Sequence, residues 1–315
     1  MLLILIFSMI IIGGLFSSSV SAFPDKPISL IVAYSAGGST DVAARAIAPY
    51  LEKYLHQPIV VKDYPGAGGQ IGFTKLALAK PDGHTIGFIN MPALQMNKAA
   101  RKNVAYDPVK SYAPIGCNIN DPNTLLVRID DDRFKTIKDL IEYGKKHPKE
   151  LICGADGPLS DDQLALAKME KATGAKFTYV SYPGAAKAHA ALLGKHSDFI
   201  ITNTQDVIQY KDKERCLVQF WKDRYYMNPN SPTFKEAFGT EIIGSSTRAI
   251  AAPANVPEDR LTVLREAFEK AAKEPEYQAK AKKIGLTLVW IDYKELGQLI
   301  KSINDDVQSL ISVLQ

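Results

Sequence analysis

Cysteine is scarce in this 315-residue sequence, and neither sign of charge dominates it. The three cysteines match no zinc-binding spacing, and their odd number leaves at least one thiol free. Three buried free thiols are expected, and the alternative is a Cys153–Cys216 disulfide that leaves Cys117 unpaired. The 38 basic and 34 acidic residues give a net charge of +4 without basic clusters, so no nucleic-acid partner is expected.

Sequence motifs of common enzymes are also lacking. There is no Gly-x-Ser-x-Gly elbow, no His-Glu-x-x-His motif, and neither of the glycine patterns that bind nucleotides. The five histidines lie beside turns or on polar faces of predicted helices, and the acidic run 130–132 lacks calcium-loop spacing. No cofactor, metal or catalytic residue is therefore expected. The enzymatic alternative is an exported hydrolase or isomerase that uses Asp161 or Asp41 as a base.

Long apolar runs are absent except at the N-terminus. Residues 1–16 are almost wholly apolar, three serines follow, and Val20-Ser21-Ala22 offers the small residues of a cleavage site. This layout predicts a signal peptide (residues 1–22) that is cleaved after Ala22, and an uncleaved anchor is the alternative. The mature protein is expected to be exported to the periplasm.

The remaining chain alternates short apolar runs with amphipathic stretches, which indicates an α/β fold. The order of these segments predicts parallel, doubly wound sheets with helices on both faces, arranged as two α/β units with a cleft between them. Strands are predicted at 28–33, 58–61, 85–89, 123–127, 151–153, 177–180, 198–201, 216–220 and 286–291. Helices are predicted at 40–55, 72–80, 136–147, 160–173, 185–193, from 257 and from 292.

Two glycine-rich loops follow the first two strands, and each enters a helix. One spans residues 34–41 and the other residues 64–69. Ligands of open α/β sheets bind at the carboxyl ends of parallel strands, and helix N-termini favour anions. Two such loops side by side predict an anion-binding site. Asp41 would repel an anion, so its side chain is expected to cap and hold the first loop.

Short motifs along the mature chain, in this order, resemble those of one family. They are Phe23-Pro24-Asp25-Lys26-Pro27-Ile28, Ser35-Ala36-Gly37-Gly38-Ser39-Thr40-Asp41, Tyr64-Pro65-Gly66-Ala67-Gly68-Gly69, Pro81-Asp82-Gly83-His84-Thr85, Tyr106-Asp107-Pro108, Tyr182-Pro183-Gly184, Pro232-Thr233 and Ala252-Pro253. The series is similar to that of the Bug family, the extracytoplasmic substrate-binding proteins of tripartite tricarboxylate transporters.

The resemblance implies a two-domain periplasmic-binding-protein fold (the Venus flytrap, type II) with the ligand cleft between the domains. Domain 1 would comprise residues 23–124 plus 250–315, and domain 2 residues 125–249. It implies a non-enzymatic solute-binding protein that captures a small carboxylate, with a di- or tricarboxylate favoured, by hinge closure. The expected partners are that ligand and integral-membrane subunits of a tripartite tricarboxylate transporter, and the chain is expected to be a monomer. A sensory module that presents the solute to a membrane receptor is the alternative.

The resemblance also carries over the ligand-binding positions. They are Tyr34, Ser35, Ala36, Gly37, Gly38, Ser39, Thr40 and Asp41 in the first loop, Gly66, Ala67, Gly68 and Gly69 in the second, and Ser160, Asp161, Asn203 and Thr204 in domain 2. Further candidates are Tyr182, Asn90 and Met91.

Two departures from the family pattern bear on the ligand. Gln163 stands where many members have histidine, and Thr247-Arg248 stands where many have an aromatic residue before the Ala-Pro pair. A guanidinium can bind a carboxylate through two hydrogen bonds. We therefore hypothesise that Arg248 binds a second carboxylate of the ligand, and the alternative is a salt bridge in the hinge.

Overall fold

The computed structural model describes residues 23–182, 185–226 and 228–314, so the predicted signal peptide and its cleavage site lie outside the described residues. The strands are β1 (Ile28–Val32), β2 (Ile59–Asp63), β3 (Thr85–Met91), β4 (Tyr112–Arg128), β5 (Ile152–Asp156), β6 (Thr178–Tyr182), β7 (Phe199–Asn203), β8 (Glu214–Gln219), β9 (Ser245–Pro253) and β10 (Leu288–Ile291). The helices are α1 (Ser39–Leu55), α2 (Gln70–Ala77), α3 (Ala93–Ala100), α4 (Ile137–Lys146), α5 (Asp161–Thr173), α6 (Ala185–Leu193), α7 (Thr204–Gln209), α8 (Phe234–Phe238), α9 (Glu258–Lys273), α10 (Pro275–Lys283) and α11 (Tyr293–Leu314).

The strands form one continuous hydrogen-bonded arrangement in the order β2-β1-β3-β9-β4-β7-β5-β6, with β8 and β10 also paired to β4. The 17-residue strand β4 changes partner along its length. It pairs with β9 up to Pro122 and with β7 from Asn123 onward. The Asn123 N–H also bonds to the Gly244 carbonyl at 2.9 Å, where the chain enters β9. The two halves of the sheet therefore join at this point, around Asn123 of β4 and Gly244 before β9, which we call the seam.

The prediction of wholly parallel sheets is wrong at the centre of the arrangement. The pairs β1–β2, β1–β3, β5–β6 and β5–β7 are parallel as expected. Strand β9 pairs antiparallel with both β3 and β4, and β7, β8 and β10 also pair antiparallel with β4. Strand β9 and the first half of β4 were missing from the expected elements because polar residues such as Asn118, Asn120 and Arg248 interrupt their apolar pattern.

Separate apolar cores lie on the two sides of this seam. On one side, α1 and α9 pack around β1, with Ile47, Leu51 and Phe268 among the buried residues. On the other side, α4 and α5 pack against β5 and β7, with Leu140 and Phe199 at the centre. The aliphatic periodicity that predicts these helices therefore corresponds to the faces that each core buries.

The last helix connects the two sides. Met96 of α3, Leu164 of α5 and Val307 of α11 belong to one buried apolar cluster. Lys168 of α5 forms an ion pair with Asp306 of α11 at 2.5 Å. Helix α11 therefore spans from the first side to the second.

The three thiols are free, as expected, and the alternative Cys153–Cys216 disulfide is not formed. Cys117 and Cys153 are buried, whereas Cys216 is only half-buried. Within the part of the chain that the structure describes, no helix combines the length and apolar character that a membrane crossing requires.

One histidine lies in the interior instead of on a polar helix face. His189 of α6 is 1% exposed, and its Nδ1 lies 2.9 Å from both carboxylate oxygens of Glu214. Its Nε2 lies 3.5 Å from Asp206, and its ring stacks on Tyr210 with centroids 3.7 Å apart. Burial lowers the pKa of His189, but the hydrogen bonds and charges of Asp206 and Glu214 outweigh burial and raise the pKa to about 9.

We predict that His189 makes the stability of the protein sensitive to alkaline pH. Because its folded-state pKa is raised above the ordinary value near 6.5, the stabilisation is fully present below pH 6.5 and is lost as pH rises through about 9. At pH 6 the His189→Gln variant should have an unfolding free energy roughly 2–4 kcal/mol lower than that of wild type. Between about pH 6.5 and 9.5 the unfolding free energy of the variant should fall less than that of wild type, because the variant has no imidazolium to deprotonate. Urea denaturation across this range measures both quantities. The control is His196→Gln at an exposed position, and parallel pH profiles for wild type and His189→Gln would contradict the prediction.

Candidate functional site

A cavity of about 430 Å³ lies at the seam, where loops from both sides converge. Its volume is in the range of small-molecule sites. Its lining includes residues at the N-terminal ends of α1, α3 and α5 and residues of β3 and β9. It is lined by Tyr34, Gly38, Ser39, Thr40, Gly68, Asn90, Met91, Pro92, Ala93, Asp156, Gly157, Pro158, Leu159, Ser160, Asp161, Asn203, Ser246 and Arg248.

The first glycine-rich loop presents the start of α1 to the cavity. Gly38 is the N-cap and has no side chain that could cap the first amide groups of the helix. Ser39 and Thr40 line the cavity beside these amides. An N-terminus of this kind carries a partial positive charge and free N–H donors, which suit an anion.

Asp41 holds this loop in place, in agreement with the role expected from the sequence. Its Oδ2 accepts a 2.7 Å hydrogen bond from the Gly37 N–H, and its Oδ1 pairs with Arg45 Nε at 2.7 Å. Burial alone would raise the pKa of Asp41, but the hydrogen bonds from Arg45 and Gly37 lower it below the ordinary value. The side chain is 3% exposed and is turned toward its own loop.

The second loop needs glycine for both its backbone and its packing. Residues Ala67–Gly69 form a 3-10 turn, and Gly69 has φ of +92°. A Cβ atom at Gly69 would lie 2.7 Å from the Phe73 ring and 3.1 Å from the Tyr34 hydroxyl. Asn97 fixes the turn by donating a 2.7 Å hydrogen bond to the Gly68 carbonyl.

Arg248 brings a positive charge to the cavity from β9. It is 6% exposed, and Nη2 donates a 3.2 Å hydrogen bond to Ser39 Oγ. Its Nε is buried and finds no hydrogen-bond partner in the described part of the chain. Among the described residues no carboxylate forms an ion pair with Arg248, so the alternative of a hinge salt bridge has no partner in this part of the chain.

A buried carboxyl group behind the cavity shares this region without pairing to the guanidinium. Asp121 is fully buried, and the backbone N–H of Gln205 lies close enough to its carboxyl group to favour the charged form. Burial raises its pKa to about 7; Arg248 opposes this rise, and Asp206 and Asp161 add to it. The charged form of Asp121 is therefore disfavoured, which makes it a weaker counter-charge for Arg248 than an exposed aspartate would be.

The opposite wall presents a carboxylate. Asp161 Oδ2 accepts hydrogen bonds from Asn123 Nδ2 at 2.7 Å and from Asn203 Nδ2 at 3.0 Å. Asn203 also donates to the Asp121 carbonyl at 3.1 Å. Ser160 caps α5 by accepting from the Gln163 N–H at 3.4 Å. These contacts hold the start of α5 at the seam.

The cavity unites residues that the sequence analysis named from distant parts of the chain. Those that line it are Tyr34, Gly38, Ser39, Thr40, Gly68, Asn90, Met91, Ser160, Asp161, Asn203 and Arg248. The sequence analysis missed Pro92, Ala93, Ser246 and the loop 156–159. Asp156 and Gly157 lie three and four residues beyond the predicted strand 151–153, and their position near the end of a strand was the available signal.

Nine of the named residues do not line this cavity. Ser35, Ala36 and Gly37 in the first loop and Gly66 and Ala67 in the second are exposed to solvent, whereas Asp41 and Gly69 support the loops from within. Thr204 is buried and donates to the Pro122 carbonyl at 2.8 Å, and the Tyr182 hydroxyl lies 3.1 Å from that of Ser197. These last two side chains therefore have structural partners instead of cavity contacts.

Solved structures share this arrangement. A TctC solute-binding protein from Polaromonas, solved without ligand, is 28% identical with a TM-score of 0.83, and the match covers 92% of this chain and 99% of that chain. The periplasmic binding protein BugD is 27% identical with a TM-score of 0.71, covering 93% and 98%. The fold is thus the expected two-domain periplasmic solute-binding fold.

The sequence comparisons agree with the structural ones. The profile described as "Tripartite tricarboxylate transporter family receptor" (TctC) matches residues 43–315. A Cupriavidus necator relative, "UPF0065 protein in gbd 5'region", is 30% identical over 278 residues, which cover 88% of this chain and 84% of the relative. The chain belongs to the TctC receptor family, a family of substrate-binding receptors, and the expected resemblance to the Bug proteins is confirmed.

We predict that Gly69 tolerates substitution less well than Gly37. Both have positive φ, so alanine costs about 1–2 kcal/mol of backbone strain at either position. At Gly69 the added methyl also collides with Phe73, which adds roughly 1–3 kcal/mol, whereas nothing lies within 4 Å of a Cβ at Gly37. Urea denaturation of Gly69→Ala and Gly37→Ala measures the difference, and equal losses of stability would show that the second loop is not packed as described.

Proposed function

We propose that the protein is an extracytoplasmic solute-binding protein that captures a small carboxylate in the cavity and delivers it to the membrane subunits of a tripartite tricarboxylate transporter. The observation that carries this proposal is the buried guanidinium of Arg248, which lines the cavity with an unpartnered Nε beside the uncapped start of α1. Burial of a charge is costly unless an opposite charge and hydrogen bonds accompany it. A bound carboxylate supplies both.

The remaining donors of the site fit the same ligand. The Ser39 and Thr40 hydroxyls and the first amides of α1 lie on the wall that contains Arg248. A hydrogen bond to a charged group contributes roughly 1.5–3 kcal/mol, and micromolar affinity requires about 8 kcal/mol in total. Four or five such donors supply this free energy after the cost of ordering the ligand. The proposed role is binding without chemical conversion of the ligand.

We also propose that the ligand draws two domains together. The proposed boundaries are residues 23–124 plus 250–315 for domain 1 and 125–249 for domain 2. The two separate cores and the exchange of strand partners near Asn123 and Ser245 support this division. A ligand that touches Arg248 on one side and Asp161 on the other stabilises the closed arrangement of the domains. The closed monomer would then be the form that the membrane subunits recognise in the periplasm.

We predict that Arg248→Gln lowers carboxylate affinity by at least about thirty-fold, because the variant loses the buried partner of the anion. Isothermal titration calorimetry with mono-, di- and tricarboxylates measures this, on protein that has been exported as the full chain, purified, unfolded and refolded to remove carried-over ligand. The matched control is Arg224→Gln, which removes a charge paired with Glu236 outside the cavity.

The thermal stability of the ligand-free protein distinguishes a ligand-binding role of Arg248 from a salt bridge in the hinge. Removal of an uncompensated buried charge should leave the melting temperature of ligand-free Arg248→Gln unchanged or higher. A clear decrease together with unchanged affinity for every carboxylate would contradict the proposal. Delivery is tested by solute uptake in a strain that lacks the gene. Uptake should be restored by the wild-type gene and not by Arg248→Gln, and normal uptake without the gene would rule out the transport role.

A further inference from the structure

Helix α5 connects the wall of the solute cavity to the last helix of the chain. Its first residue, Asp161, lines the cavity beside Ser160, and Lys168 lies two helical turns further along the same face. The Lys168 Nζ donates a 2.9 Å hydrogen bond to the Ile243 carbonyl next to the seam and forms the ion pair with Asp306 of α11 at 2.5 Å. Movement of α5 away from α11 therefore breaks the ion pair and displaces the cavity wall together.

The contact between α5 and α11 is incompletely packed. A second cavity, of about 110 Å³, lies between the two helices. Residues at the spacing of one helical face line it from each side: Asp161, Leu164 and Lys168 of α5, and Leu299, Ile303 and Asp306 of α11. Atoms that border a void lose van der Waals partners, so these faces gain less from direct packing than a filled interface would. The ion pair and the apolar cluster of Met96, Leu164 and Val307 therefore supply much of the attraction between the helices.

The ion pair acts on the solute cavity only through the position of α5. Neither Lys168 nor Asp306 lines that cavity. The Lys168 side chain is 15% exposed and that of Asp306 is 43% exposed, so the pair is partly shielded from water and remains open to it on the α11 side. Leu159 extends the link to the loop before α5, because it lines the cavity and packs against the apolar cluster of Met96 and its neighbours. The cavity wall and the helix pair thus form one mechanical unit.

We propose that Lys168 and Asp306 are positioning residues for solute capture, whose ion pair ties α5 to α11 and favours the arrangement in which both halves of the sheet line one cavity. This inference rests on the proposed function and adds to it a means of setting the affinity. The apparent affinity of a solute rises with the population of the binding-competent arrangement. Loss of the ion pair lowers that population and leaves the side chains that line the cavity unchanged.

Variants that remove one charge of the pair test its effect on affinity. Asp306→Asn and Lys168→Met should each weaken carboxylate binding about three- to ten-fold, and the double variant should bind no more weakly than the weaker single variant, because both changes remove the same contact. Asp306→Glu keeps the charge at a half-exposed position and should bind within about two-fold of wild type. Calorimetry with acetate, succinate, glutarate and citrate, on protein unfolded and refolded to remove carried-over ligand, measures these affinities.

The matched controls are neighbours on the same two helices. Lys171→Met on α5 and Asp305→Asn on α11 each remove a charge of the same sign at an exposed position. Neither residue takes part in the contact between the helices, so both variants should bind like wild type. Affinities of Asp306→Asn and Lys168→Met that equal those of these controls would overturn the proposal.

Small-angle X-ray scattering without solute tests the arrangement itself. Ligand-free Asp306→Asn and Lys168→Met should have a larger radius of gyration than wild type, because the two halves separate more often, and Asp305→Asn should match wild type. An unchanged radius of gyration in both variants of the ion pair would overturn the proposal. Failure of every carboxylate to bind the wild-type protein would instead overturn the proposed function, and the scattering comparison would still decide the role of the ion pair.

Discussion

The antiparallel pairing of β4 with β9 is the constraint on which the rest of the structure depends. Their ladder lies in the half of the sheet that also contains β1, β2 and β3. Strand β4 continues beyond the seam and pairs there with β7 and β8. Because β4 belongs to both halves of the sheet, the residues at the point where it changes its pairing partner are fixed relative to both apolar cores. Asn123 and Arg248, which lie on these two strands, are thereby held at the seam where the cavity forms.

The cavity illustrates how a binding site uses groups that cost stability in the empty protein. Arg248 is nearly buried and has no ion-pair partner among the described residues, and Asp121 behind it is fully buried with a raised pKa. Desolvation of such groups disfavours the empty state, and a complementary ligand relieves part of that cost. If the protein binds a carboxylate as proposed, much of the affinity would originate in the preorganised charges and not in new apolar contacts.

The positions of most elements could be predicted because local patterns determine them. Helix α1 follows from the recurrence of apolar residues between Ser39 and Leu55, and its glycine-rich entry follows from the need for close backbone turns. Strand β9 was not predictable in this way, because Ser245, Thr247 and Arg248 read as a polar loop. They belong to a strand because neighbouring strands satisfy their backbone groups on both sides.

The candidate site divides in the same manner. The sequence by itself determined the two glycine-rich loops, the family motifs and the unusual Arg248, since glycine backbone freedom and residue chemistry are local properties. Only the tertiary structure decided that Arg248 lies in a cavity with Ser39 as its hydrogen-bond partner, and that Asp161, held by Asn123 and Asn203, lines the same cavity. The physical reason is that desolvation and charge complementarity depend on distances between residues far apart in the chain, and folding alone sets those distances.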